Sequence, residues 1–280
     1  MEIIELLQRF ASPGMDSFMM TVTNLANDLV YIGLLVVAYL GFGPAAGRQL
    51  GILFLLSMYA NGLLKDLFST PRPFEIDPGV LRVPAAVDTA GGHGFPSGHA
   101  QSAATFWGVA ILLVQKPWFN LLGLLVIVLV SLSRLYLGVH LPIDIIGGLG
   151  LGFIAILCLP LLQRGELKLP ASLQLLLALV VPLAFHLLLP TGNSGILLGG
   201  LSGFLLAPLL FEHRPPAGVT GRVVVTLIGL ALVFAALLGS SAVLPEAVKR
   251  NEFVDFFRYL VIALLGLVAA PALTARWVKG

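Results

Sequence analysis

Long apolar runs alternate with short polar interruptions along this chain, and that spacing predicts membrane-spanning helices. A spanning helix needs about 20 largely apolar residues. Such runs fall near residues 28–42, 48–67, 97–114, 118–136, 142–163, 170–189, 194–211, 221–243 and 255–275. The interruptions carry turn or charge signals: Gly41-Phe42-Gly43-Pro44, Gln115-Lys116-Pro117, Gln163-Arg164-Gly165-Glu166, Pro190-Thr191-Gly192-Asn193 and His213-Arg214-Pro215-Pro216. The runs at 28–42 and 194–211 are short, so the expectation is an all-α polytopic membrane protein with eight or nine transmembrane helices.

Composition agrees with that reading. Charged residues make up 11% of the 280 positions, against about 25% in soluble domains. A formal charge of +2 offers no footprint for nucleic acid. The single cysteine, Cys158, lies in an apolar run, excludes an internal disulfide and belongs to no cluster with zinc-ligand spacing. No zinc site is therefore expected, and no cofactor is assigned.

Residues 1–24 lack the basic start and apolar centre of a cleaved signal peptide. They read as two short amphipathic helices, broken at Ser12-Pro13-Gly14 and lying at the membrane interface. The expected organisation is then interfacial helices over 1–24, a membrane core over 25–169 that carries the chemistry, and further transmembrane helices of no assigned role over 170–280.

Only one connection is long. It runs over about residues 69–95 and holds Pro71, Pro73, Pro78, Pro84, Gly91, Gly92 and Gly94. Long loops in compact proteins are usually functional or disordered. Around it stand the polar residues that a membrane protein has most reason to avoid, in three groups. Lys65 ends the second run, with Arg72-Pro73 seven residues on. Pro96-Ser97-Gly98-His99 joins the long loop to the third run. Ser133-Arg134, His140 and Asp144 join the fourth run to the fifth.

With nine spans, all three groups lie at one membrane face, since they flank the connections after the second and fourth spans. Three cations, two histidines and a carboxylate at one face suit a phosphate ester: arginine offers a planar fork to phosphate oxygens and lysine a compact charge. The start of the third span adds backbone N–H groups and the positive end of a helix dipole. His140 and Asp144 are four residues apart and share a helix face. The carboxylate can hold one ring nitrogen as N–H and leave the other to attack phosphorus, while His99, with no carboxylate at that spacing, fits a proton donor. Taken singly, each group has a bland reading as a snorkelling anchor, a capping pair or a turn. Their conjunction on one face does not.

These residues resemble the type 2 phosphatidic acid phosphatase superfamily, whose signature runs K-x6-RP, PSGH, SR-x5-H-x3-D. Lys65 with Arg72-Pro73, Pro96 to His99, and Ser133-Arg134 with His140 and Asp144 match it without a departure. The resemblance covers about residues 25–165 and implies that superfamily's helical core. It implies His140 as nucleophile, Asp144 as its partner and His99 as general acid. Lys65, Arg72, Ser97, Gly98 and Arg134 would bind the phosphate, without a metal. The function it implies is hydrolysis of a lipid phosphate or diphosphate through a phosphohistidine, with the lipid bilayer and a membrane lipid phosphate as the partners. A phosphotransferase using the same site is the alternative, and a transporter or scaffold with a relic site a further one.

Lysine and arginine bias sets orientation. The face with the motifs holds Arg9, Lys65, Arg72, Arg82, Arg134, Lys249, Arg250 and Arg258; the other holds Arg48, Lys116, Arg164, Lys168, Arg214, Arg222, Arg276 and Lys279. Setting Lys65, Arg72 and Arg134 aside as site residues leaves the second face richer. That face is expected to be cytoplasmic, with the site facing the periplasm or cell exterior of a bacterial inner membrane. Four aromatic or imidazole residues are assigned no chemistry: His93 as loop, Tyr136 and Trp107 as packing or interfacial rings, and His186 as a satisfied core histidine.

Overall fold

Proline and small polar residues start these helices where the pattern predicts. In a computed structural model describing residues 1–164, 169–249 and 251–275, every regular element is helical. Glu166, Lys168, Arg250, Arg276 and Lys279, which enter the charge argument, lie outside the described residues, as does the Gly165-Glu166 break. Helix α1 spans Glu2–Gln8 and α2 Pro13–Asn24, where Ser12 Oγ accepts from Met15 N at 3.2 Å and Pro13 takes the first turn. Then come α3 (Asp28–Val37), continued by a π-turn over Ala38–Phe42, and α4 (Pro44–Phe68). The long connection carries α5 (Pro73–Ile76) and two short 3-10 turns, Pro78–Val80 and Pro84–Thr89. Helices α6 (Gly98–Val114), α7 (Pro117–Tyr136), α8 (Pro142–Leu157), α9 (Leu159–Gln163), α10 (Ala171–Leu188), α11 (Ser194–Leu210), α12 (Val219–Val243), α13 (Glu246–Lys249), α14 (Glu252–Leu264) and α15 (Ala270–Thr274) follow.

All nine predicted runs are helical. Six helices among the described residues are long and apolar enough to cross a membrane, or seven if α2 and α3 with its π-turn, bent by 49°, count as one span. Helices α6 and α11 are apolar but 17 residues each, hence about 25 Å long against a hydrocarbon core of about 30 Å. The expected count of eight or nine spans is therefore not met by length. The integral-membrane character is.

The chain divides into two compact units. One comprises residues 1–31 and 60–159, the other residues 32–59 and 160–280. In the first, α6 packs along α7 and α8. A Cβ on Gly148 of α8 would lie 2.5 Å from Ser97 O, and one on Gly152 would lie 2.5 Å from Ala104 Cβ. Small residues one turn apart thus let the two backbones meet, the usual device where helices associate in lipid. Asn61 of α4 is buried and donates to Gln101 Oε1 at 2.7 Å and Pro96 O at 3.2 Å. The N-terminal helices join this unit through Gln8, which donates to Val80 O and Tyr136 O at 2.7 and 2.8 Å. Asp16 accepts from Arg82 Nε at 2.9 Å and from the Tyr136 hydroxyl. Tyr136 is thus a buried packing ring, hydrogen-bonded at its tip.

The second unit gathers α10, α11, α12 and α14. His186 is a satisfied core histidine there: its Nδ1 lies 2.9 Å from Ser194 Oγ and its ring stacks on Phe256. Arg258 donates to Ser240 Oγ, Leu237 O and Ser241 Oγ, and pairs with Asp255.

Candidate active site

The third motif turns on a glycine. At the end of α7, Leu137 N bonds Ser133 O and Gly138 N bonds Leu135 O, closing the helix. Gly138 then adopts φ +74°, and a Cβ there would lie 1.9 Å from Val80 O. Only glycine fits that left-handed position so close to another backbone. The turn delivers His140 directly ahead of α8, which Pro142 opens and Asp144 caps by accepting Leu141 N at 2.8 Å.

Asp144 Oδ2 also lies 3.2 Å from His140 Nδ1. On the far side of the ring, Arg72 Nη1 stands 3.1 Å from His140 Nε2. A guanidinium has no acceptor, so Nε2 must carry the lone pair and the single ring proton sits on Nδ1, facing the carboxylate. These partners fix one tautomer of a neutral imidazole. Burial holds His140 well below the ordinary imidazole range, and the charges of Arg134, Arg72 and Lys65, with His99, act in the same direction. A ring kept neutral, with its lone pair on a known atom, is the form required of a nucleophile.

Arg72 is itself enclosed. Its Nε donates to Gly92 O, Nη1 to Val139 O as well as His140, and Nη2 to Gly91 O and His93 O, at 2.8 to 3.2 Å. All five N–H groups have a protein partner, so the arginine clamps the 91–93 segment over the ring. Lys65 Nζ reaches the same segment at His93 O and Gly94 O. His93 thus enters through its carbonyl, as part of the loop.

The second motif meets the third through the backbone: Ser97 N donates to Asp144 O at 2.9 Å, and Ser97 Oγ caps α6 by accepting Ala100 N at 3.4 Å. Gly98 and His99 occupy the first turn of α6, whose leading N–H groups have no acceptor within the helix. The His99 ring makes no hydrogen bond among the described residues.

Arg134 is fully buried. Its Nη1 donates to Thr23 Oγ1 at 2.6 Å and Thr89 Oγ1 at 2.7 Å, and its Nη2 to Thr89 O at 3.1 Å. Its Nε has no hydrogen-bond partner among the described residues. All eight residues given a role from the sequence therefore lie in one unit. Thr23, Thr89, Asn61 and Gln101 escaped sequence reasoning, because a threonine or amide in an apolar helix or loop bears no local mark of a distant partner. Among the described residues no three His, Cys, Asp or Glu side chains gather as metal ligands would; the positive charge of the site belongs to Lys65, Arg72 and Arg134.

Residues 46–167 match the PAP2 superfamily, and residues 191–278 match its phosphatase transmembrane extension. The second match carries the family likeness into C-terminal helices that the motif resemblance left outside. An undecaprenyl-diphosphatase of Sulfolobus acidocaldarius is 36% identical over 124 residues, 44% of this chain and 58% of that protein. The Escherichia coli protein YbjG, provisionally named for the same activity, is 34% identical over 138 residues, 48% of this chain and 67% of that one. Sphingosine-1-phosphate phosphatase 1 of Rattus norvegicus is 33% identical over 132 residues, covering 45% of this chain and 30% of its own length. The chain thus spans less than two thirds of the archaeal and rat relatives. No solved structure matches it. With two family regions matched in order, and two thirds of a bacterial relative covered, the chain belongs to the PAP2 superfamily.

Proposed function

We propose that this protein hydrolyses a membrane lipid phosphate or diphosphate through a phosphohistidine on His140, without a metal. The observation that carries the reading is the paired environment of one ring: Asp144 at Nδ1, and a cation-lined approach at Nε2. Neutral Nε2 attacks phosphorus, the P–O bond to the leaving group breaks, and the ring becomes a cation that Asp144 stabilises. Arg134, Lys65 and Arg72 bear the charge spread over the equatorial oxygens, the work a divalent ion does elsewhere. Arg72 exchanges its bond at Nε2 for a phosphate oxygen as substrate enters. The Ser97–Gly98 helix start supplies N–H donors. His99, whose ring has no hydrogen-bond partner among the described residues, gives a proton to the departing oxygen and then takes one from the water that cleaves the N–P bond.

The apolar helices let a substrate's tails stay in the bilayer while its phosphate reaches the site. The relatives' names join isoprenoid diphosphate and sphingoid phosphate, two head groups on different tails, which fits a site that reads phosphate. The lysine and arginine distribution favours a site facing the cell exterior or periplasm. The test is phosphate release by detergent-purified protein from a panel of lipid phosphates in EDTA. Wild type should release phosphate and His140→Ala should not. Strict dependence on an added metal, or unchanged release by the variant, would overturn the reading.

A further inference from the structure

We infer that Thr23, on the second N-terminal helix, and Thr89, in the long loop, are positioning residues that aim Arg134 at the substrate phosphate. The inference rests on the phosphate-binding role proposed above and assigns to the N-terminal helices a part in the site.

A guanidinium has five N–H groups in a plane. Two of them, on Nη1, are taken by Thr23 Oγ1 and Thr89 Oγ1, and one on Nη2 is taken by Thr89 O. Because Thr89 bridges Nη1 and Nη2 with its own hydroxyl and carbonyl, it sits across the far end of the group. What remains is Nε–H and the second Nη2–H. Those two lie parallel along one edge, the edge that makes a two-point contact with a phosphate. Nε is buried and has no hydrogen-bond partner among the described residues, an arrangement that costs free energy unless something completes it.

The two threonines are themselves held. Thr89 donates its hydroxyl hydrogen to Ala86 O at 2.7 Å, so its lone pairs face Arg134. Thr23 is fully buried near the end of α2, a helix anchored by Asp16 to Arg82 and Tyr136. An arginine side chain has many rotamers, and fixing it before substrate arrives lowers the ordering cost in the transition state. The hydroxyls act through Arg134 and do not touch phosphorus.

The experiment compares Thr23→Val, Thr89→Val and Thr23→Ser with wild type. Thr21→Val is the control, since among the described residues that hydroxyl bonds only Ser17 O in its own helix. Readouts are kcat, KM and competitive inhibition by inorganic phosphate, on detergent-purified protein whose thermal unfolding is recorded. Each valine variant should lose about tenfold or more in kcat/KM and in phosphate affinity, with Thr23→Ser close to wild type. In an Arg134→Lys background, Thr23→Val should add almost nothing, because the coupled partner is gone. If Thr23→Val does not fold, Thr89→Val and the Thr89/Arg134 pair carry the same test. Undiminished phosphate affinity in folded valine variants, or full additivity with Arg134→Lys, would overturn the inference. His140→Ala separates the two levels: an active His140→Ala sinks the reading of the site, whereas an inactive one beside unaffected valine variants sinks only this inference.

Discussion

Arg72 Nη1 and His140 Nε2 stand 3.1 Å apart, although 68 positions separate the residues in the chain. Because arginine can only donate, the contact identifies Nε2 as the atom with the lone pair. It also means that the group proposed to receive phosphate covers the nitrogen proposed to attack. The same guanidinium holds three carbonyls of the 91–93 segment, so one side chain couples the position of this loop to the exposure of that nitrogen.

Arg72→Lys should therefore be severe. An ammonium has three N–H groups and cannot serve five acceptors in one plane. The expectation is a loss of about 10²–10³ in kcat/KM, together with faster amide hydrogen exchange over residues 91–94. A variant with normal turnover and normal exchange would show that the clamp has no part in the reaction.

The environment of His140 predicts a pH profile. Burial, then Arg134, Arg72 and Lys65, hold its protonation below the ordinary value of 6.5. The protonated ring cannot attack, so the competent fraction stays full as pH falls through 6.5 and declines only below it. Single-turnover phosphoenzyme formation from an ester with a good leaving group, which needs no proton from His99, isolates this step. Arg134→Gln removes the largest of the charge effects and should move the acid limb upward. An acid limb already at or above 6.5 in wild type would contradict the assignment of His140.

Asp144→Asn tests the tautomer. One oxygen, Oδ2, faces both Leu141 N and His140 Nδ1: an amide that keeps its oxygen there loses the charge that would stabilise the ring cation, and one that turns its NH2 there gives up the Leu141 bond and drives the ring proton to Nε2. Turnover should drop by roughly 10³–10⁴, the scale seen when an orienting carboxylate is made an amide, with KM little changed. Unfolding should shift by no more than about 1 kcal/mol, the scale of one cap. Chemical quench for phosphohistidine, alongside thermal unfolding, separates these effects.

Helix approach sets the distance between the second and third motifs. Gly148→Ala would put a methyl 2.5 Å from Ser97 O, whereas Gly150→Ala meets nothing within 4 Å. The first should cost about 1–3 kcal/mol and reduce activity by displacing Ser97 and His99 from His140. The second should be neutral or slightly stabilising, since alanine favours the helix. Equal unfolding temperatures for the two variants would remove the argument for close packing of α6 on α8.

Much of this protein could be read from the chain alone, because the signals are local. Apolar runs near the length of a membrane span declare themselves in lipid, where every backbone group must be satisfied within the helix. Pro44 and Pro117, at breaks in the pattern, each open a helix, and the four-residue spacing keeps His140 near Asp144, although His140 stands ahead of α8 and not on it as the spacing alone suggests. The three motifs could be placed on one face because consecutive spans return the chain to the same side. Spacing could not say which nitrogen of His140 is free, since that depends on Arg72 across the long loop. Nor could it single out Thr23, whose hydroxyl meets Arg134 at a separation of 111 positions. An isolated threonine looks the same in sequence whether it bonds its own helix, as Thr21 does, or a distant guanidinium. Side-chain partners of that kind are chosen by how helices pack and by the cost of leaving a buried donor unpaired, and only the folded structure decides both.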